Sequence, residues 1–243
     1  MSEYTQIGDV ILCNDDNRDI LKTIPDNSID LIITDPPYNI AKYSTGNIKL
    51  PNRTPLNNDI AEWDRVEVDP LEYAKEFKRI LKPNGNIFVF TTYNCIGKWH
   101  EAFDCLFDTT QFMVWHKTNP TPNIFKKGFL NSCELIICFW NKGHKWNFTN
   151  QKEMHNFIES SICMSPERLK NPKHPAQKPI KILQHLIEIS SNENDVVFDP
   201  FMGVASTALA CLKTKRKFYG CEIDKTYYNA GVERVKEYIV KNW

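Results

Sequence analysis

The sequence predicts an α/β domain with a mostly parallel central sheet and helices on both faces. Three observations predict it. Short apolar runs such as Ile29–Thr34 and Asn86–Thr91 read as strands buried on both sides. They alternate with stretches of helical periodicity, as a parallel sheet with crossover helices requires. The 243 residues, 42% apolar and 25% charged, suit a single domain with a sizeable core.

Taken in order, Val10–Cys13 is a short strand and Ile29–Thr34 a second, which stops at Asp35-Pro36-Pro37-Tyr38 because two prolines cannot continue a central strand. Residues 39–58, with Gly46, Pro51 and Pro55, read as a long loop carrying Lys42, Lys49 and Arg53 and no acid. Apolar residues at 71, 74, 77, 80 and 81 predict a helix over 70–81, ended by Pro83-Asn84-Gly85. A strand follows at 86–91 and a helix at 96–107. Phe112–Trp115 and Leu135–Trp140 are two more strands, and residues 141–173 are polar and irregular. Pro179–Ser190 is helical, and Val196–Asp199 is a short strand running into Pro200-Phe201-Met202-Gly203. A helix at about 205–213, a strand at Phe218–Cys221 ending in Glu222, and an amphipathic helix over Lys225–Val240 complete the chain. No stretch forces a second domain.

Other classes are excluded. No run of about 18 apolar residues exists, so no transmembrane helix is expected. Met1-Ser2-Glu3-Tyr4 has neither the basic nor the apolar region of a signal peptide. The eight cysteines form no CxxC pair, and most lie in apolar runs, which predicts reduced core thiols in a cytoplasmic protein and no metal site. Charge is balanced overall at 30 acids and 30 bases, yet residues 1–110 carry a balance of −7 and residues 111–185 one of +7. A basic middle segment is either a face for a polyanion or a solvated lysine-rich loop region.

In open α/β sheets ligands bind beyond the carboxyl ends of strands. Asp15, Asp16, Asp35, Asp199 and Glu222 are predicted to stand there. A strand-to-helix turn with a glycine at 203 and an acid at the end of the next strand suit a nucleoside, whose ribose hydroxyls an acid can bind. Asp35-Pro36-Pro37-Tyr38 brings a carboxylate, carbonyls free of proline N–H competition and an aromatic ring into four residues. That combination can accept both protons of a planar amine and stack on its ring.

These motifs resemble the β class of S-adenosylmethionine-dependent DNA amino-methyltransferases, the group with permuted motif order. Asp35-Pro-Pro-Tyr38 is similar to its catalytic motif, N-terminal in this class. Asp195-Val-Val-Phe-Asp-Pro-Phe-Met-Gly203 is similar to its cofactor motif, and Phe218-Tyr-Gly-Cys-Glu-Ile-Asp224 to its ribose motif. His174-Pro-Ala-Gln-Lys-Pro179 is similar to the segment that helps wrap the methionine part, and Trp115-His-Lys-Thr-Asn-Pro120 to the motif near the target-base pocket. One departure stands out: where the family has Phe-x-Gly-x-Gly, this chain has Ala205 as the second glycine.

The resemblance implies a Rossmann-like methyltransferase fold in one catalytic domain over 1–243. It makes 39–58 a basic loop near the target and about 141–173 a short target-recognition insertion. It implies catalytic roles for Asp35, Pro36, Pro37 and Tyr38. It places S-adenosyl-L-methionine against Asp16 or Asp15, His174, Lys178, Asp199, Pro200, Phe201, Gly203, Ala205, Thr207, Glu222 and Asp224. Bland alternatives stand beside three roles: Trp115 as core, His174 as a turn-former, and Phe201 as core packing. DNA contacts are expected from Lys42, Lys49, Arg53, Trp115, Lys117, Asn119, Lys126, Lys127, Lys142, Lys145 and Arg168. The expected reaction is N6 methylation of a flipped-out adenine by direct attack. Cytosine N4 is the alternative, although amino-cytosine enzymes more often carry Ser in place of Asp35. A DNA-binding module that has lost catalysis is a further alternative, supported only by Ala205. The absence of a cysteine after any proline argues against C5 chemistry, and the absence of GxGxxG against a nicotinamide oxidoreductase. The partners implied are DNA, a cognate restriction endonuclease and a second copy in a homodimer, with no membrane.

Overall fold

A computed structural model of the chain describes residues 2–38, 68–123 and 126–242. Among the described residues nine strands form one sheet: β1 (Glu3–Ile7), β2 (Val10–Asn14), β3 (Ile29–Thr34), β4 (Leu81–Thr91), β5 (Thr109–Lys117), β6 (Cys133–Trp140), β7 (Phe157–Ser160), β8 (Val196–Asp199) and β9 (Lys217–Cys221). Six α-helices of the described residues accompany them: α1 (Asn17–Thr23), α2 (Pro70–Ile80), α3 (Ile96–Phe103), α4 (Ile180–Ser190), α5 (Ser206–Lys213) and α6 (Lys225–Asn242). The spatial order is β1-β2-β9-β8-β3-β4-β6-β5-β7. The five central strands from β2 to β4 run parallel, whereas β6 is antiparallel to β4 and β5, and β1 is antiparallel to β2.

Side-chain alternation sorts the two cores. Leu31 and Ile33 of β3 and Phe88 and Phe90 of β4 point to one face, where Leu186, Ala208 and Val232 of α4, α5 and α6 cover them. Ile32, Ile87 and Val89 point to the other, under Ile20, Phe77 and Phe103 of α1, α2 and α3. Unbroken apolar strands are the sequence signature of such two-sided burial.

Four features depart from the sequence reading. Pro83-Asn84-Gly85 does not end α2. The helix stops at Ile80, and the prolyl segment is a bulge inside β4, where pairing jumps from Ile29↔Leu81 to Leu31↔Asn86. A Cβ on Gly85 would come within 2.7 Å of the Asp30 carbonyl, so only glycine passes there. The helix expected over 96–107 ends at Phe103 and tightens to a 3₁₀ turn over Asp104–Leu106. Two edge strands, β1 and β7, and the seven-residue α1 were not foreseen. Their residues alternate between exposed and half-buried or are mostly polar.

The chain order reverses direction at β3, which has β8 on one side and β4 on the other. The carboxyl end of β3 is therefore a topological switch point, and Asp35 is the first residue beyond it.

Candidate active site

A cleft of about 290 Å3 opens along the carboxyl edge of the sheet. Asp15 and Asp16 reach it from beyond β2, Asp35 and Pro37 from beyond β3, Asp199, Pro200, Phe201 and Gly203 from β8 and its turn, and Glu222 from beyond β9. His174 and Lys178 enter from the segment before α4, and Thr207 from α5. Residues as far apart in the chain as Asp15 and Glu222 thus share one wall.

The turn after β8 is built by its own acid. Asp199 Oδ1 accepts from the Phe201 N–H at 3.1 Å and Oδ2 from the Thr207 hydroxyl at 2.7 Å. Glu222 accepts from the Gly203 N–H at 3.0 Å and from the Asp224 N–H at 2.8 Å. Burial pushes both carboxyls up to about 7, outweighing the hydrogen bonds they accept, with neighbouring carboxylates adding to the rise. Gly203 has φ +52°, and a Cβ there would lie 3.1 Å from His174 Nε2, so this turn needs glycine. Burial lowers the His174 imidazole to about 4, with the Lys178 charge adding to the effect, and its ring meets Tyr227 edge-on at 4.5 Å. Asp16 caps α1 through the Arg18 N–H at 2.9 Å and pairs with the Arg18 guanidinium at 2.6 Å. Asp15 accepts from the Asp16 N–H at 2.8 Å.

Asp35 is held on both oxygens. The Tyr38 hydroxyl donates to Oδ1 at 2.5 Å, and the Lys178 ammonium to Oδ2 at 2.5 Å. Both donors also reach Glu134 Oε1, at 2.9 and 2.8 Å, while Lys117 binds Glu134 Oε2 at 2.8 Å. Burial pushes the Asp35 carboxyl upward, with the Lys178 charge opposing and Glu134 adding to the rise. Burial acts the same way on Glu134, but Lys178 and Lys117 overcome it and bring that acid down to about 2. Lys178 is buried, yet its two carboxylates raise it above the usual lysine value.

Glu134 escaped the sequence reading. It is a lone acid at the start of an apolar strand, and only the pairing of β6 beside β4 brings it to Tyr38. Lys178 stands against Asp35 rather than serving the cofactor region alone. Ala205 does not face the cleft. It is fully buried at φ +60°, with its methyl toward α6, where Gly231 leaves it room. Asp224 does not line the cleft; its carboxylate caps α6, accepting from the Thr226 and Tyr227 N–H groups at 2.7 and 3.1 Å.

The residues expected at DNA divide. Lys42, Lys49 and Arg53 lie outside the described residues. Trp115 is 2% exposed in the core, its indole N–H on Ser160 at 3.0 Å, so a base contact is withdrawn for it. Lys117 is committed to Glu134, and Asn119 accepts from the Ile162 N–H at 2.8 Å. Lys142 and Lys145 follow the carboxyl end of β6, the sheet edge opposite the cleft, since β6 runs antiparallel to β4. There Lys145 bridges the buried Asp30 at 2.7 Å and Asp195 at 2.6 Å, an internal ion pair incompatible with a phosphate contact. Arg168 is half-buried on the segment leading to His174. Lys126 and Lys127 are exposed on the loop joining β5 to β6, at the same edge as Asp35 and beside the fully exposed Phe129. The Asn123 side chain shapes that loop by donating to the Lys127 carbonyl at 2.8 Å.

Residues 29–233 match the family model described as DNA methylase, of N6 and N4 type. The type II methyltransferase M.HinfI of Haemophilus influenzae is 34% identical over 238 residues, which cover 89% of this chain and 66% of that protein. The chain thus spans just under two thirds of that relative. M2.LlaDCHI of Lactococcus lactis subsp. cremoris is 29% identical over 253 residues, covering 96% of this chain and 92% of its own. Among solved structures, an M1.HpyAVI–SAM complex superposes with a TM-score of 0.66 at 28% identity, over 93% of this chain and 99% of that one. The cytosine-N4-specific PvuII DNA methyltransferase superposes with a TM-score of 0.71 over 94% of this chain and 90% of that one. At 17% identity it supports the fold alone.

Proposed function

The chain belongs to the N6 and N4 DNA methylase family, and from that premise we propose that it is an S-adenosylmethionine-dependent DNA amino-methyltransferase acting on adenine N6. The observation that carries this reading is the Asp35 carboxylate, placed at the switch point of the sheet and in one cleft with Glu222. Asp rather than Ser at position 35 supports adenine over cytosine.

The cleft fits the cofactor. Its lining holds Asp15, Asp16, Asp35, Glu72, Asp199 and Glu222 against Arg18 and Lys178, an acid excess suited to a ligand with sulfonium and ammonium charges. The Glu222 carboxylate suits ribose hydroxyls, and the turn at Gly203 brings backbone close without a side chain in the way. When bound, the cofactor supplies the activated methyl group.

The chain's own residues do the rest. A base amine is a weak nucleophile because its lone pair is delocalised into the ring. Asp35 and the Pro36 carbonyl accept hydrogen bonds from its two N–H groups and localise that pair on nitrogen. With the cofactor held between Glu222, the Gly203 turn and His174, that nitrogen would be placed to take its methyl group, the carbon–sulfur electron pair remaining with the departing thioether. The extra proton on nitrogen leaves to Asp35 or to water. Tyr38, its hydroxyl fixed between Asp35 and Glu134, offers its ring to the base, a stack worth about 1–3 kcal/mol against a flipping cost of a few kcal/mol. Holding the amine in place for a bound cofactor would supply much of the acceleration.

The test is methyl transfer from labelled S-adenosylmethionine to unmethylated genomic DNA, with digestion to nucleosides. N6-methyladenine is the expected product, and Asp35→Ala is expected to lower its formation by about a hundredfold or more. N4-methylcytosine would correct the base, and DNA binding without any methylated base would favour a lapsed enzyme.

A further inference from the structure

Both oxygens of Asp35 are already taken, one by Tyr38 and one by Lys178, each at 2.5 Å. An incoming amine needs the same carboxylate. The two donors cannot simply be pushed into an apolar wall, because a buried ammonium or hydroxyl without an acceptor is costly. Glu134 solves this. Its Oε1 stands 2.9 Å from the Tyr38 hydroxyl and 2.8 Å from the Lys178 ammonium, so each donor has a second acceptor in reach without moving far. Lys117 pins Oε2 at 2.8 Å and fixes the carboxylate in that orientation. Glu134 itself is 8% exposed and does not line the cleft.

We propose that Glu134 is a positioning residue that takes over Tyr38 and Lys178 when the target amine claims Asp35. This rests on the methyltransferase reading. No covalent bond is made or broken in the exchange: Asp35 trades two protein donors for the amine, and Glu134 keeps both. Two carboxylates are balanced throughout by two ammonium groups, Lys178 and Lys117, so the cluster's charge is unchanged by the swap. Without the Glu134 charge, Lys178 has one carboxylate left and locks onto it, in competition with the substrate.

The exchange makes a prediction that a merely structural role does not. Glu134→Gln lowers kcat on the order of tenfold or more at saturating DNA and cofactor, while cofactor affinity stays at the wild-type value. Adding Lys178→Met to that variant removes the competitor. The double variant, assayed at alkaline pH so that Asp35 is ionised, is then faster than Glu134→Gln alone by on the order of tenfold. A double variant as slow as or slower than Glu134→Gln alone overturns the proposal, as does a Glu134→Gln enzyme with unchanged kcat. Thermal unfolding and cofactor calorimetry on each variant identify any that fail to fold. In that event Glu134→Asp, whose shorter arm leaves the charge but retracts the acceptor, gives the second measurement: it must lower kcat without altering cofactor affinity. Absence of methyl transfer by the wild type on any DNA refutes the underlying reading before the variants are compared.

Discussion

Glu222 and Asp199 are carboxyls held up to about 7 by burial in a cleft that suits a cationic ligand. In an unfolded chain they ionise near about pH 4. Their neutral folded forms therefore contribute stability that is present below about pH 4 and is lost as pH rises to about 7. A ligand that offers hydroxyl donors and positive charge binds the ionised forms and must expel protons from them. S-adenosylmethionine affinity measured by calorimetry is expected to rise about tenfold between about pH 6 and pH 8 for each carboxyl that the ligand ionises, with proton release. Glu222→Gln flattens its share of that dependence, and equal affinity at both pH values would contradict it. The residues behind this behaviour were legible, because strand-end acids and a glycine turn are local patterns. Glu134 was not, since its partners Tyr38 and Lys178 are fixed only by the order of strands across the sheet.

The α5–α6 contact shows how a departure from a family pattern is absorbed by a neighbouring element. Ala205 adopts φ +60°, a conformation costly for alanine, and its methyl occupies space that glycine at 231 leaves open. A Cβ at 231 would sit 3.1 Å from that methyl. Gly231→Ala alone is thus expected to gain nothing from its better helix propensity, whereas in an Ala205→Gly background it stabilises by about 1 kcal/mol in urea unfolding. Additive effects of the two substitutions would show that the helices do not couple here. At the opposite sheet edge, Lys145 joins Asp30, near the start of β3, to Asp195 just before β8. Lys145→Met is expected to cost about 2 kcal/mol or more in stability and to leave DNA affinity unchanged. The main strands and helices were legible from their periodicity. The edge strands β1 and β7 were not, because half-exposed strands carry little apolar signal.

Across the whole molecule the charge that charts a path for DNA is narrower than composition suggests. The basic middle segment is divided between the two sheet edges, with Lys126 and Lys127 near the cleft and Lys142 and Lys145 away from it. Changing Lys126 and Lys127 to Ala is expected to weaken DNA binding and to reduce the slope of log affinity against log salt by about 2, whereas Lys142→Ala leaves that slope unchanged. Identical slopes for both variants would return the interface to the segment as a whole. The strand order carries a last consequence, for the time course of assembly. β2 and β3 are neighbours along the chain, yet β9 and β8, which follow them by more than 160 residues, are inserted between them in the sheet. A nascent chain therefore holds a gap at its own centre until those late strands arrive. Such non-local pairing slows folding and leaves open strand edges exposed meanwhile. Ribosome-bound chains truncated before β8 are accordingly expected to stay protease-sensitive and to bind no cofactor, and Asp35, synthesised early, waits for the other half of its cleft to be made.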